Sequence, residues 1–524
     1  MEPILFLIFV IGGIGLLIYM VHHMKIAYQE GYRSGQAESI AKGGKPWGKP
    51  ISSTFGSAYI MTPPQIIDAG LGISPESILQ RVKSRDFGFL LLGVTQYEKK
   101  TAVTKFEQAG HILTIAPTRS GKGVSAVIPN LLFYPGSVVV NDIKGENYAV
   151  TARWRRKMGH DVHMFAPFVD NDFGISNSSH WNPFDMLVDS DDPWEDARYM
   201  AELLVPDERG GDDFWSNAAR NFLTGLILFI HTNKPEDDRV LVLIRILLTQ
   251  NEAEFLETLN DMIECGNTNV ERAANVMWRA DDKVREGILS TLDSHLSFLD
   301  SKKLVSYTMK STFSFKQLKE EAFSIYLIMP PERLRTYAPF VRLFMGMAAL
   351  EMKRTRQKPE LPVLFMIDEF PAMGRMRLVE DEIAYLAGYG VNLWLFAQDL
   401  KQIATIYGDK AQSIIANCAV KQFFGVSDYE TAQLVSLMCG ETSIPSISYS
   451  NEQGLTVKKG NQTLSSGARP LFTPNEIMSS EPSQQFIFSQ GQQVILARKL
   501  NYLTDPLFKD EDQKQIYENN PFHH

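Results

Sequence analysis

The chain has 524 residues, 44% of them hydrophobic, and a formal net charge of −9. That length supports roughly two or three folding units, and the acidic balance excludes a protein that coats nucleic acid indiscriminately, so any DNA contact must be local, in a channel or patch. The three cysteines, Cys265, Cys418 and Cys439, are odd in number and have no metal-like spacing, which argues against a disulfide framework.

Ile4 to Val21 carries no charged residue, and at helical rise it covers about 27 Å, near the thickness of a hydrocarbon core. A cleaved signal peptide would begin with basic residues and close on small ones, whereas this segment starts at Glu2 and ends on Tyr19-Met-Val-His-His23. A single retained transmembrane helix is therefore expected at 1–23. Lys25, Arg33, Lys42, Lys45 and Lys49 follow it, which predicts a single-pass membrane protein with the bulk of the chain in the cytoplasm. Gly43 to Ser57 is rich in Gly, Pro, Lys and Ser and reads as a linker.

Apolar strand-like runs then recur at Ile112 to Ile115, Val138 to Val140, Ser324 to Met329, Leu364 to Ile367, Val391 to Phe396, Val420 to Phe424 and Gln493 to Ala497. Most are apolar on both faces, as a parallel sheet covered by helices requires. From about Trp194 to Leu299 the rhythm changes. Glu195 to Leu204, Asn217 to His231, Arg239 to Leu248, Glu252 to Met262 and Val270 to Phe298 place apolar residues at three- and four-residue spacing, predicting an inserted all-α domain. Phe222 to Ile230 is too short to span a bilayer and reads as bundle core. Thr442 to Ser466 reads as a polar loop and the tail after Lys509 as frayed. The expected organisation is an α/β fold: an anchor at 1–23, a nucleotide-binding domain at 24–190 and 311–508, the all-α insert at 191–310, and a flexible tail at 509–524.

The chemistry concentrates where strands end. Ala116-Pro-Thr-Arg-Ser-Gly-Lys-Gly123 follows one strand and precedes the helix-compatible run Val124, Ala126, Val127, Ile128. That is the setting of a phosphate-binding loop, in which backbone N–H groups of Thr118, Arg119, Ser120, Gly121, Lys122, Gly123 and Val124 curl around a phosphate and the Lys122 ammonium reaches the β- and γ-phosphates. Two positions depart from the strict pattern: Ala116 stands for the first Gly, and Gly123 for the Ser or Thr that ordinarily ligates Mg²⁺. A second strand ends in Asp368-Glu369. Such a pair is commonly a solvated turn, but after a phosphate loop it reads as a Mg²⁺ site, Asp368 holding the metal and Glu369 polarising the attacking water. A third strand closes on Gln398, which reads either as a sensor of the γ-phosphate or as a solvated loop residue. ATP and Mg²⁺ are the implied cofactors.

Taken together, Ala116 to Ser125 followed by Val127-Ile-Pro-Asn130, Asn141-Asp-Ile-Lys-Gly-Glu146, Phe214-Trp-Ser-Asn-Ala-Ala-Arg220, Ile367-Asp-Glu-Phe-Pro-Ala-Met-Gly-Arg375, Gly388-Tyr-Gly390, Phe396-Ala-Gln398, Asn417 and Phe423-Phe-Gly425 resemble the type IV secretion coupling proteins, the TraG/TraD-like conjugation ATPases. The resemblance runs from Phe55 to Phe508. It implies a RecA-like P-loop motor domain with an all-α insert, a homohexamer docked on a type IV secretion channel at the inner membrane, and a cargo of relaxase-bound single-stranded DNA, effector proteins or both. In this family Lys-Gly at the position of Gly123 is common, which leaves the loop's Mg²⁺ ligand unnamed between Ser120 and Ser125. The matched Asp142 and Glu146 are expected at the nucleotide site or a ring interface, or as a solvated turn. No arginine near Gly388 clearly matches one acting in trans; Arg375, Arg377 and Arg469 are the candidates, with an ordinary surface arginine as the other reading of each. Alternatives to a coupling ATPase are a double-stranded DNA translocase of similar core, and a substrate receptor that uses nucleotide as a switch with little turnover.

Overall fold

A computed structural model describes residue 47 and residues 56–78, 88–169, 178–207, 213–449, 462–508 and 515–521. The expected membrane span and most of the linker lie outside these residues, and among the described residues no helix is long and apolar enough to cross a membrane. The strands in chain order are β1 (Gly72–Ile73), β2 (Leu90–Tyr97), β3 (Lys100–Phe106), β4 (His111–Ile115), β5 (Val138–Asp142), β6 (Asp161–Phe165), β7 (Phe323–Ile328), β8 (Val363–Ile367), β9 (Val391–Ala397), β10 (Cys418–Phe423), β11 (Glu441–Tyr449), β12 (Gln462–Pro470), β13 (Gln484–Ser489) and β14 (Ile495–Arg498). All seven strands expected from the sequence are among them, with ends shifted by a residue or two. The chain forms two compact units.

The first unit comprises the chain up to Pro135 together with Phe396–Gln402 and Cys418–Glu518. Its strands β1, β3, β2, β14, β13 and β10 lie side by side as an antiparallel array, and β4 pairs parallel to β10. The loop expected to bind phosphate leaves a strand, β4, whose every residue is buried. The stretch expected as a polar loop at 442–466 contains instead an antiparallel pair, β11 and β12, in register from Glu441 against Pro470 to Tyr449 against Gln462. In the tail, which the sequence reads as frayed, Ile516 and Tyr517 are buried and Tyr517 meets Tyr502 edge to face.

The second unit runs over Gly136–Leu395 and Ile403–Asn417, with the last residues from Asn519. Its sheet is wholly parallel, in the order β9-β8-β5-β7-β6. Strands β5, β7, β8 and β9 are buried along their whole length, which is why their sequences read as unbroken apolar runs instead of alternating ones. Helices Glu146–Lys157 and Pro331–Arg354 make the crossovers from β5 to β6 and from β7 to β8.

The α-rich stretch follows β6 in this unit as helices Pro193–Leu204, Asp213–Asn233, Leu241–Leu248, Glu252–Glu264, Thr268–Arg279 and Asp282–Leu296. Their starts are written in side chains that accept from otherwise orphaned backbone N–H groups: Asp192 from Glu195 N, Asn251 from Glu254 N, Asp281 from Val284 N. That last cap divides the stretch Val270 to Phe298 into two helices. Phe222, Leu223, Leu226, Ile227, Leu228, Phe229 and Ile230 are all buried, confirming this run as bundle core. At Gly225 a Cβ would fall 2.3 Å from Ala273 Cβ, so the missing side chain is what lets the helices Asp213–Asn233 and Thr268–Arg279 approach.

Candidate nucleotide site

The loop after β4 takes its shape from two left-handed residues. Arg119 (φ 64°) and Gly121 (φ 87°) bend the chain, and Ser120 N–H donates to Pro117 O at 3.0 Å to close the turn between them. Among the described residues no backbone carbonyl accepts from the N–H groups of Thr118, Arg119 or Gly121, so these donors remain for an anion, the property of a backbone nest. Ala116, which departs from the strict pattern, is fully buried with ordinary backbone, and its N–H donates to Ala397 O at 2.9 Å, so nothing there demands glycine. The same bond brings Gln398, the next residue along, to the loop.

Lys122 opens the following helix with helical backbone angles and is half-buried. The helix begins wide: Ile128 N–H reaches back five residues to Gly123 O, a π-type turn of the kind that marks functional sites. A Cβ at Gly123 would meet nothing within 4 Å, so the chain itself leaves that space open to a ligand. Of the two candidate hydroxyls, Ser125 is buried in the first turn, and Ser120 Oγ is buried and makes no hydrogen bond.

The loop rests on a buried polar lattice. Asn130 is fully buried; its Oδ1 accepts from Leu91 N (2.7 Å), and its Nδ2 donates to Leu91 O (2.9 Å) and Ala126 O (2.8 Å). On the strand that enters the loop, Thr114 Oγ1 donates to Gln422 Oε1 (2.8 Å), and Gln422 and Gln485 both donate to Leu92 O (3.2 and 2.7 Å) at the bulge of β2. Gly425, left-handed at φ 65°, packs on the loop so closely that a Cβ would lie 2.7 Å from Ser120 Cβ.

In the second unit Asp368 and Glu369 follow β8, half-buried at the carboxyl end of the parallel strands, where open α/β sheets place their ligands. Asn141 Nδ2 donates to Asp368 O at 3.0 Å. Glu369 is left-handed at φ 53°, a conformation that costs a non-glycine residue about 1 kcal/mol or more and that clusters at functional sites. It is held by Ala372 N–H on Glu369 O (2.9 Å), and the short turn Phe370–Met373 is pinned in turn by the buried Arg342, which donates to Met373 O (2.8 Å) and Leu203 O (3.2 Å). Among the described residues no cluster of three or more His, Cys, Asp and Glu side chains is assembled to hold a metal by protein alone. Mg²⁺ does not require one, since it keeps several waters and takes one or two carboxylates plus phosphate oxygens, and Asp368 fits that mode.

Asp142 is neither a solvated turn nor an exposed ligand. It is buried at the end of β5 and accepts from Gly145 N (3.0 Å), Tyr148 N (2.9 Å) and Asn147 Nδ2 (3.3 Å), ordering the start of the next helix. Burial pushes its carboxyl up to about 7, against the pull of those N–H groups and with the nearby negative charge of Asp368 and Glu146 adding to the rise. Glu146 accepts from Asn520. The three candidate arginines are each engaged within the chain: Arg375 with Glu380, Arg377 with Glu202, and Arg469 with Glu476 at 2.7 Å. Sequence reading missed Asn130, Arg342 and Lys499, all of which act on backbone carbonyls. Only Asn130 carried a signal, its place in the quoted motif.

The family described as type IV secretory system conjugative DNA transfer matches residues 76–521. A conjugal transfer protein TraG of Escherichia coli is 28% identical over 505 residues, covering 88% of this chain and 79% of the relative. Protein VirD4 of Agrobacterium fabrum is 28% identical over 413 residues, which are 78% of this chain and 60% of VirD4. Among solved structures, the unbound bacterial conjugative coupling protein TrwBdeltaN70 superposes with a TM-score of 0.56 at 16% identity, covering 75% of this chain and 86% of that one. The plasmid coupling protein TrwB in complex with ADP and Mg²⁺ gives 0.54 at 15%, covering 75% and 86%. At such identities the structures attest the fold, and the match of nearly the whole described chain to one family attests descent: the chain belongs to the type IV secretion coupling proteins.

Proposed function

We propose that this protein is an ATPase, anchored in the inner membrane by residues 4–21, that recruits relaxase-bound single-stranded DNA, effector proteins or both and feeds them into a type IV secretion channel as a homohexamer. The observation that carries the ATPase reading is the loop at 116–123, with its unused N–H donors and Lys122 at the head of a helix. Structures of TrwB with ADP and Mg²⁺ and with a non-hydrolysable ATP analogue support nucleotide as the ligand.

In this reading the N–H groups of Thr118 to Val124 cradle the phosphates, and the Lys122 ammonium offsets charge on the β- and γ-phosphates. Asp368 holds Mg²⁺, which when bound neutralises the charge that develops between those phosphates. Glu369 accepts the proton of the water that attacks the γ-phosphate, and Gln398 hydrogen-bonds the γ-phosphate and reports its loss. The α-rich stretch from Pro193 to Leu296 is where cargo is read.

The test is complementation of a donor strain that lacks the gene. Wild-type protein restores DNA transfer, effector export or both, scored separately, and Lys122→Ala restores neither while accumulating in membranes to the same level. Full restoration by Lys122→Ala would overturn the proposal.

A further inference from the structure

Lys499, the residue after β14, lies outside every motif quoted above and still touches the phosphate loop. Its Nζ donates to Ser120 O at 2.6 Å and sits 4.9 Å from the centre of the Phe424 ring, which faces it with π density. The chain just beyond is fastened to the same loop: Leu500 is buried, and Tyr502 N–H donates to Val124 O at 3.4 Å. Gly425, one residue past Phe424, packs on Ser120 from the end of β10.

The peptide that Lys499 grips is the one most able to turn over. It joins Ser120 to Gly121, and glycine populates positive and negative φ with similar ease, so Ser120–Gly121 has two low-energy orientations. The peptide is trans and planar, so its carbonyl and the Gly121 N–H point in opposite directions. With the carbonyl on Lys499, that N–H faces away from the ammonium and serves as a donor to an anion. With the peptide reversed, a carbonyl oxygen would stand where a phosphate must go.

We infer that Lys499 is a positioning residue of the nucleotide site: it locks the Ser120–Gly121 peptide in the orientation that receives phosphate. The inference rests on the reading of the loop as a nucleotide site. Lys499 also polarises the peptide, which strengthens the Gly121 N–H as a donor. Because it acts on the bound phosphates in ground state and transition state alike, its loss weakens binding and spares the chemical step.

The experiment compares wild type, Lys499→Met, Lys499→Arg and Lys122→Ala as full chains in detergent, measuring the Kd of ATP and ADP, KM and kcat. A hydrogen bond from a charged donor is worth a factor of about 10 to 100. Lys499→Met therefore raises both Kd values and KM by about tenfold or more with kcat within about threefold, while Lys499→Arg, which keeps a cationic donor, recovers most of the affinity. Unchanged affinity in Lys499→Met, or a fall in kcat at constant KM, overturns the inference. If Lys499→Met does not fold, Lys499→Leu, which also lacks a donor, replaces it, and wild-type affinity in Lys499→Leu overturns the inference equally. Where wild type binds nucleotide, Lys122→Ala does not and the Lys499 variants match wild type, only this inference fails. Where wild type binds none, the reading of the loop fails and takes the inference with it.

Discussion

Asn130 is the point at which the loop helix is moored, and truncating it is the sharpest test of how the site is held. Asn130→Ala removes three buried hydrogen bonds, of 2.7, 2.9 and 2.8 Å, and strands both the N–H and the carbonyl of Leu91. Each stranded buried group of Leu91 costs about 1–3 kcal/mol and the lost bond to Ala126 O about 1 kcal/mol, so the loss is roughly 3–7 kcal/mol. Domains have about 5–15 kcal/mol in total, so a change of that size is decisive. Asn130→Asp keeps the shape and the acceptor but turns a carboxylate oxygen toward two carbonyls, and it is expected to cost at least as much. Urea unfolding of the full chain, followed by tryptophan fluorescence, measures both variants. A shift equivalent to less than about 1 kcal/mol in either would refute the view that this side chain anchors the helix.

Three further expectations concern the loop and the carboxylates. Gly425→Ala forces a Cβ against Ser120 in a left-handed residue, a conformational cost of about 1–2 kcal/mol before any clash; nucleotide affinity should fall at least tenfold, and an unchanged Kd by titration would contradict the packing described. Glu369→Gln should bind ATP normally and stall hydrolysis, whereas Asp368→Ala should lose the Mg²⁺-dependent part of binding; equal losses of affinity in both would show that the division of labour is wrong. Asp142 has a folded value near 7 against an unfolded value of 3.8, so the native state holds the proton more tightly. The sign follows: this group stabilises the fold below about pH 4 and that stability is lost as pH rises through about 7, roughly 4 kcal/mol in all. In nucleotide-free protein the difference between wild type and Asp142→Asn should change by about that amount between pH 4 and pH 8, and parallel stability curves would contradict it.

The strands that carry the chemistry were legible because burial on both faces leaves an unbroken apolar run, as in Val363–Ile367 and Val391–Ala397. β3 hid itself because Thr104 and Lys105 are buried in it, Thr104 against Thr95 at 3.4 Å, and polar residues that satisfy one another look solvated in sequence. β11 and β12 hid behind Pro445 and a run of Ser and Thr, which pattern reading assigns to a loop. Lys122, Asp368, Glu369 and Gln398 stand out as candidates because each lies in a local motif at the end of a strand. The supports of the loop do not, because a side chain that grips a backbone carbonyl hundreds of residues away, as Lys499 grips Ser120, leaves no local pattern.

The central claim is that the loop at 116–123 and the acidic pair at 368–369 make this protein a nucleotide-hydrolysing motor. Phosphate release by the full chain in detergent, with Mg²⁺ and ATP, with and without single-stranded DNA, tests it most directly. Wild type should hydrolyse ATP and accelerate with DNA, and Lys122→Ala should do neither. Turnover in Lys122→Ala at the wild-type rate, or none in wild type under any of these conditions, would contradict the claim.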